Sequence, residues 1–461
     1  MANKLFGTSG IRGSIIDKVT PELALNLGRA LGTFLDGKGT VGVGIDARTS
    51  NDMLRNSFIS GLLSTGVNVV DMGITPMPAV AYYSQVEGID ASVIVTASHN
   101  PPTDNGFKFF NNGREFIREE EIALETTIAE KQYRVADWDE IGLIRYENIK
   151  EQYLKYVGAF LSKRGTNSDG TKVLIDLANG AATEYTPHLL LKMGYSVTTM
   201  NSHQDGHFPG RPAEPSPRNL GDAMRMAADS DFAVTVCHDG DGDRLAVIDE
   251  QGEFIDQNRV IALFASDEVK RNGGGIVVVS IDTSSVIDEL VTAVGGTVTR
   301  MPLGSLQEFL ATDKGKDVVF ASEPWKPIFT KMGCWMDGIT GAARISQMVD
   351  DIGNGSCMKL MESIPKYPIL RDFVPCPDKI KPDFLPKVKE ALVPKINGIS
   401  QILEVDGIRI ECTNGSYVLI RVSGTEPKAR VYVGAKEQET VDKLAVIAKE
   451  IMNQVIEELE K

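Results

Sequence analysis

Three short stretches of this chain carry residues whose types and spacing suit one kind of chemistry. Val95-Thr96-Ala97-Ser98-His99-Asn100-Pro101-Pro102 sets a single serine just past the apolar run Ala91-Ser92-Val93-Ile94-Val95. A serine at the C-terminal end of a buried strand, on a turn fixed by Asn and Pro, stands where open α/β sheets place reactive groups. Asp239-Gly240-Asp241-Gly242-Asp243-Arg244 supplies three alternating carboxylates, and Arg421-Val422-Ser423-Gly424-Thr425-Glu426-Pro427 offers hydroxyls, backbone amides and a guanidinium. A nucleophile, a hard-cation site and an oxyanion cradle together point to phosphoryl transfer, which needs positioning and charge neutralisation more than covalent work by the protein.

Each stretch has its own logic. An unassisted serine hydroxyl is a weak nucleophile at neutral pH, and no Ser-His-Asp order stands out in the chain. His99 follows Ser98 directly, so its ring is expected to point away from the hydroxyl. Ser98 becomes useful as the carrier of a phosphoryl group that is held by a metal and passed to a bound acceptor. Glycines between Asp239, Asp241 and Asp243 let the backbone curl until the carboxylates converge. Their spacing resembles the start of an EF-hand loop without that loop's later ligands. Three carboxylates and one phosphate oxygen make a reasonable set for Mg²⁺. Arg244 can fork onto a phosphate or onto the aspartates. Arg421, Ser423, Gly424, Thr425 and Arg430 suit a non-reacting phosphate, at about 1.5–3 kcal/mol for each charge-assisted hydrogen bond. Lys108 and Arg12 are the remaining cationic candidates near the serine, although a surface charge is the commoner fate of either. Ordinary alternatives stand beside these readings: a turn hydroxyl for Ser98, a metal-free Gly-Asp turn for the triplet, and a solvated strand position for Arg430.

The elements that must position these residues recur. Residues 41–46, 66–70 and 91–95 read as strands separated by helix-like stretches. The same plan returns at 173–176, 194–197 and 232–236, and again at 276–282, 295–298 and 317–321. Short β-branched strands alternating with helical patterns predict parallel sheets with crossover helices. The glycines Gly66, Gly194 and Gly295 before each second strand fit helix C-terminal turns. The third strand of every segment runs into one polar loop, carrying Ser98, the Asp239 cluster and Glu323 in turn. Thr20-Pro21-Glu22 marks a helix start. Residues 163–167 and 353–356 read as loops. Beyond Pro365 the pattern changes to short alternating strands such as 416–421. A last helix follows, whose apolar positions from Val441 to Leu459 predict core packing rather than a partner groove.

Size and charge narrow the class further. At 461 residues the chain exceeds one core, and three or four domains are expected. A formal net charge of −15 argues against nucleic acid or an anionic membrane as partner, while leaving room for a small anionic ligand in a local basic cleft. The five cysteines are scattered without metal-ligand spacing, so neither disulfides nor a zinc site is expected. No apolar leader or bilayer-length run is read, which gives a cytoplasmic expectation.

With these residues in view, the chain resembles the α-D-phosphohexomutases, the family of phosphoglucomutase, phosphomannomutase and phosphoglucosamine mutase. The likeness runs from Gly7-Thr8-Ser9-Gly10-Ile11-Arg12-Gly13 through the serine and aspartate loops to the Arg421 loop, and so covers essentially the whole chain. It implies three α/β/α domains and a C-terminal α+β domain of TATA-box-binding-protein-like fold around a central cleft. The expected domains are residues 1–146 (serine loop), 147–251 (metal loop), 252–364 (sugar loop) and 365–461 (phosphate loop). It also implies a phosphorylated Ser98 and one Mg²⁺ per chain on Asp239, Asp241, Asp243 and the Ser98 phosphate. A bisphosphorylated hexose would serve as intermediate and activator. Arg12 and Lys108 align with reacting-end residues, and His99 joins them as a catalytic candidate. Arg421, Ser423, Gly424, Thr425 and Arg430 match the distal-phosphate loop. The expected partner is a small phosphosugar, with no nucleic acid or membrane, and the expected assembly a monomer or homodimer.

The third loop departs from the family. Members often read Gly-Glu-x-Ser-Gly-His, whereas this chain has Ser322-Glu323-Pro324-Trp325-Lys326-Pro327. Glu323 can still bind vicinal hydroxyls, and Trp325 can either pack a sugar face or fill local space. The overall pattern looks closest to archaeal-type phosphoglucosamine or phosphomannose mutases, with glucosamine phosphate the expected substrate. Alternatives are phosphomannomutase or phosphoglucomutase, then a phosphopentomutase. A phosphatase would use the same phosphoserine, and a non-catalytic sensor would be expected to have lost Ser98 or the aspartates.

Overall fold

In a computed structural model, residues 4–7, 9–424 and 426–460 are described. The β-branched runs read from the sequence form strands, and the chain divides into two units, each taken by itself. One comprises Met1–Ile255, Gln307–Lys316 and Trp325–Ser363; the other comprises Asp256–Leu306, Asp317–Pro324 and Ile364–Lys461.

In the first unit, β1 (Ile11–Ser14), β2 (Thr40–Ile45), β3 (Asn68–Ile74), β4 (Ala91–Val95), β5 (Asp104–Asn111), β6 (Arg114–Glu115) and β7 (Ile144–Tyr146) make one sheet. Its order is β1-β5-β4-β2-β3-β7, with β6 paired to β5. The centre is parallel, β2 lying between β3 and β4. β5 runs antiparallel between β4 and β1. A second sheet takes β8 (Lys172–Asp176), β9 (Ser196–Met200), β10 (Val234–Cys237) and β11 (Ala246–Ile248) in the order β11-β10-β8-β9. In the second unit, β12 (Gly275–Ser280) pairs in parallel with both β13 (Gly296–Met301) and β14 (Val318–Glu323). β15 (Lys326–Ile328) returns to the first unit. The last five strands, β16 (Ile369–Pro375), β17 (Ile399–Leu403), β18 (Ile408–Cys412), β19 (Tyr417–Val422) and β20 (Lys428–Gly434), form an antiparallel sheet in the order β16-β20-β19-β18-β17.

The repeat expected from the sequence is therefore topological. Three times the first strand of a segment lies between its third and second, as β4-β2-β3, β10-β8-β9 and β14-β12-β13. Three times the third strand delivers a polar loop. Gly66, Gly194 and Gly295 all adopt left-handed φ, at 100°, 91° and 85°, where the chain turns after a helix. Strand boundaries slip by a few residues against the reading, because an apolar run does not say where pairing begins. Thr20 caps the helix Pro21–Phe34 as read, its hydroxyl accepting the Leu23 N–H at 3.3 Å.

Packing follows the periodicity. In the first sheet Val41, Val43, Val93, Val95, Phe107 and Phe109 face one core with Leu27, Leu31 and Phe58. The final helix, Gln438–Glu460, lays Val441, Ala448, Ile451, Met452 and Val455 on the inner face of the antiparallel sheet, among Val418, Ile420, Val431 and Val433. That is the core role predicted for it.

Candidate active site

Ser98 sits at a left-handed φ of 53°, which costs a residue bearing a Cβ about 1–2 kcal/mol. Its own N–H donates to Thr96 Oγ1 at 2.8 Å, and its hydroxyl donates to Asp239 Oδ2 at 2.6 Å. The turn also corrects the expectation for His99. With Ser98 left-handed, adjacent side chains no longer diverge, and His99 Nδ1 lies 3.3 Å from Ser98 Oγ.

Arg48 holds this loop. The buried guanidinium pairs with Asp46 through Nε at 3.1 Å. Its Nη1 donates to the carbonyls of Pro101 (2.5 Å) and Asp104 (2.9 Å), and its Nη2 to those of Ser98 (3.0 Å) and Asn100 (2.7 Å). The Phe208 ring lies 5.1 Å from the same group. Asp46 Oδ2 in turn accepts from Thr96 Oγ1 at 2.7 Å. Sequence reasoning used Asp46 only as a strand end and passed over Arg48. The available signal was a polar pair directly after an apolar strand.

The aspartate triplet converges as predicted. Asp239, Asp241 and Asp243 are fully buried, and their candidate ligand oxygens lie within 4.8 Å of one another. Gly240 makes the approach possible, since a Cβ there would stand 2.7 Å from the Ser98 carbonyl oxygen. Behind the loop, His238 bridges the Arg244 carbonyl and Thr186 Oγ1, each at 2.9 Å, while Arg211 donates to the His238 carbonyl at 2.6 Å. Lys108 Nζ reaches Asp241 Oδ2 at 3.0 Å and Asp243 Oδ2 at 2.7 Å. The other oxygens, Asp241 Oδ1 and Asp243 Oδ1, are buried with no hydrogen-bond partner among the described residues. Orphaned carboxylate oxygens are costly, and a hard cation satisfies them, so the residues present fit Mg²⁺.

Lys108 is not the surface charge that is its commoner fate. β5 alternates, sending Phe107 and Phe109 to the core and Lys108 to the opposite face, where it is 1% exposed. Burial alone would depress its pKa; the Asp241 and Asp243 carboxylates outweigh that and raise it, keeping the amine protonated. Asp243 is the complement: burial would raise it, and the Lys108 charge holds it below the usual carboxylate range. Burial, then the Asp243 and Asp241 charges, push Asp239 well upward. His99 is pushed down to about 2, by burial first and the Arg244 guanidinium second, and is neutral near pH 7. Arg244 Nη2 lies 3.3 Å from His99 Nε2, so that nitrogen is the acceptor and the ring proton rests on Nδ1, toward Ser98. Arg12 stands across from Gly106 in the β1–β5 pairing, and its charge acts on both His99 and Lys108.

Trp325 adopts a left-handed φ of 68°, its carbonyl accepts the Leu245 N–H at 2.8 Å, and its ring lies 5.7 Å from the Arg244 guanidinium. Its neighbour Lys326 is buried, and its charge acts on His99 and Asp243. The structure thus brings Ser98, His99, Lys108, Arg12, the three aspartates, Arg244 and Trp325 together in the first unit. Glu323 belongs to the second unit, at the end of β14, where its carboxylate accepts the Gly304 N–H at 2.6 Å. In that unit Arg421 and Arg430 face each other across β19 and β20. Arg421 is ion-paired with Asp406, and Arg430 with Glu426 at 3.0 Å. Ser423 Oγ accepts the Glu426 N–H at 3.2 Å, Gly424 is exposed, and Thr425 lies outside the described residues.

Comparison with known proteins follows the same outline. The phosphoglucomutase/phosphomannomutase family matches at three places: alpha/beta/alpha domain I over residues 3–135, alpha/beta/alpha domain II over 151–252, and the C-terminal domain over 374–451. The phosphopentomutase of Thermococcus kodakarensis is 42% identical over 99% of this chain and 100% of its own length. The probable phosphoglucosamine mutase of Methanopyrus kandleri is 39% identical over 99% of both chains. The one of Thermococcus kodakarensis is 36% identical, also over 99% of both. A phosphoglucomutase/phosphomannomutase family protein of Burkholderia thailandensis shares the fold with a TM-score of 0.86 at 23% identity, covering 98% of this chain and 97% of that one. No helix among the described residues is long and apolar enough to cross a membrane.

Two outcomes follow from this geometry. Arg48→Met leaves Asp46 buried without its cation and should lower stability by about 3–5 kcal/mol in denaturant unfolding. A loss under 1 kcal/mol would remove the clamp from the argument. Titrating chelator-treated protein with Mg²⁺ should raise its stability by about 2.7 kcal/mol at a hundredfold excess over Kd. Asp241→Asn should abolish most of that gain, and an unmoved wild-type transition would leave the triplet without a cation.

Proposed function

Since the chain belongs to the phosphoglucomutase/phosphomannomutase family, we propose that it is a phosphosugar mutase in which Ser98 carries the migrating phosphoryl group. The observation that carries this reading is the 2.6 Å contact from Ser98 Oγ to Asp239, inside a buried carboxylate triplet with unsatisfied oxygens. In the first half-reaction the Oγ–P bond of phosphorylated Ser98 breaks and a sugar oxygen–P bond forms. The proton of the sugar hydroxyl ends on Ser98 Oγ, where Asp239 accepts it in a hydrogen bond. The bisphosphorylated sugar then presents its other phosphate, and the reverse exchange restores phosphoserine and releases the isomer. Asp239, Asp241, Asp243 and a phosphate oxygen on Ser98 would hold Mg²⁺, which neutralises charge on the transferring group when bound.

Lys108, kept protonated by its aspartates, neutralises charge rather than taking a proton. His99 Nδ1–H steadies Ser98 Oγ, and Arg12 and Arg244 flank the reacting phosphate. The distal phosphate goes to Arg421, Ser423, Gly424, Thr425 and Arg430, whose arginines exchange the Asp406 and Glu426 carboxylates for it. Glu323 takes sugar hydroxyls. A bisphosphorylated sugar reloads any enzyme that has lost its phosphoryl group.

For the sugar, two readings draw on different observations. Glucosamine phosphate is supported by the relatives named probable phosphoglucosamine mutase. A pentose phosphate is supported by a contrast within one organism. Of the two Thermococcus kodakarensis relatives, the phosphopentomutase is 42% identical and the probable phosphoglucosamine mutase 36%. Trp325 does not bear on the choice, because its indole fills local space against the buried cluster of Leu220, Cys237, Ala246 and Ile248. The pentose reading, with phosphate moving between the 1 and 5 hydroxyls, is therefore placed first.

Coupled turnover on ribose 1-phosphate, glucosamine 6-phosphate, mannose 6-phosphate and glucose 6-phosphate, each with a bisphosphate activator, should give at least tenfold higher kcat/KM for the pentose. Faster glucosamine turnover would install the second reading, and release of inorganic phosphate without isomerisation would make the protein a phosphatase. Ser98→Ala should lose at least a thousandfold in kcat while still binding the phosphosugar. Near-normal turnover there would take Ser98 out of the reaction.

A further inference from the structure

The phosphate loop has a support that the reaction scheme does not use. Lys381 opens the helix Lys381–Leu392 and turns its side chain under the loop between β19 and β20. Its ammonium donates to the carbonyl of Ser423 and, at 2.7 Å, to the carbonyl of Glu426, and it pairs with Asp378 at 2.5 Å. An ammonium donates and cannot accept, so its two hydrogen bonds here both draw carbonyl oxygens toward it. Asp378 offsets its charge.

What it does to the backbone is more specific. In a planar trans peptide the carbonyl of one residue and the N–H of the next point in opposite directions. Drawing the Ser423 carbonyl down onto Lys381 sends the Gly424 N–H the other way, out of the loop. Among the described residues, the neighbouring donors are engaged elsewhere. The Ser423 N–H is taken by the Lys428 carbonyl at 2.9 Å, the Glu426 N–H by Ser423 Oγ, and Pro427 has none. Glycine at 424 makes the Ser423–Gly424 peptide easy to turn over. A Cβ on Gly424 would meet nothing within 4 Å, and glycine accepts either sign of φ. A flipped peptide would aim a carbonyl oxygen where an amide is needed.

We infer that Lys381 is a positioning residue for distal-phosphate recognition, locking the Ser423–Gly424 peptide so that the Gly424 N–H faces the phosphate between Arg421 and Arg430. The inference rests on the reading of this loop as the phosphate site. It names a backbone donor, the Gly424 N–H, that the loop commits to the anion.

Steady-state kinetics with ribose 1-phosphate and glucosamine 6-phosphate separate this from a general structural role. Lys381→Gln should raise KM about tenfold for whichever substrate turns over, with kcat within threefold, and Lys381→Arg should bring KM back to within threefold of wild type. An unchanged KM in Lys381→Gln, or a loss confined to kcat, overturns the inference. Hydrogen exchange on the wild-type enzyme tests it without a variant: the Gly424 amide should exchange freely in the unliganded protein and slow at least tenfold on adding the phosphosugar. No slowing overturns it. Arg421→Ala, measured alongside, keeps the two failures apart. If Arg421→Ala raises KM and Lys381→Gln does not, only the lysine's role falls; if neither does, the loop is not the phosphate site.

Discussion

Carboxylates removed from water must meet positive charge or hydrogen-bond donors within a few ångströms, and the first unit is organised around that requirement. Asp46, Asp239, Asp241 and Asp243 are all fully buried. Arg48 answers Asp46, and Lys108 answers Asp241 and Asp243. Even so, among the described residues one oxygen of Asp241 and one of Asp243 are left without partners. The third member of the triplet, Asp239, accepts the Ser98 hydroxyl, so the charge imbalance and that hydroxyl share one place.

The tandem topology explains how distant residues reach that place. Ser98 and Asp239 are separated by 141 positions, yet each follows the third strand of its segment. Since that strand lies next to the first in each sheet, its loop always leaves from the same end of a parallel core. Rigid strands then fix the loop bases, and local devices fix the tips. For Ser98 these are the Arg48 clamp and the Thr96 hydroxyl; for the aspartates they are His238, Thr186 and Arg211. Strain at Ser98 is affordable because carbonyls on both sides of the loop are held by one guanidinium.

The second unit handles charge differently. Its arginines carry internal carboxylate partners, Asp406 and Glu426. Under the proposed function a phosphate takes their place. A lysine beneath the loop donates to two backbone carbonyls and pairs with an aspartate, holding the loop from below. Charge around Ser98 is thus concentrated by burial. At the loop between β19 and β20 it is held near solvent.

Much of this was legible in the chain. The period of the strands, the loops that end them and the alternation of aspartates with glycines are local patterns, and from them came the sheets, the convergent triplet and the change to antiparallel strands toward the C-terminus. Lys108 shows the limit. Three phenylalanines around it mark a strand, but whether the face opposite that core meets water or two aspartates depends on residues more than 130 positions away. His99 shows another: its ring direction follows from the backbone angle at Ser98, which Arg48 and Thr96 impose. Sequence alone determined which side chains could carry a phosphoryl group and which could hold an anion, because those are properties of residue type and spacing. Only the tertiary structure decided which charges are buried together, which proton sits where, and which cations merely support a loop, because desolvation and hydrogen-bond direction exist only once the chain has closed on itself.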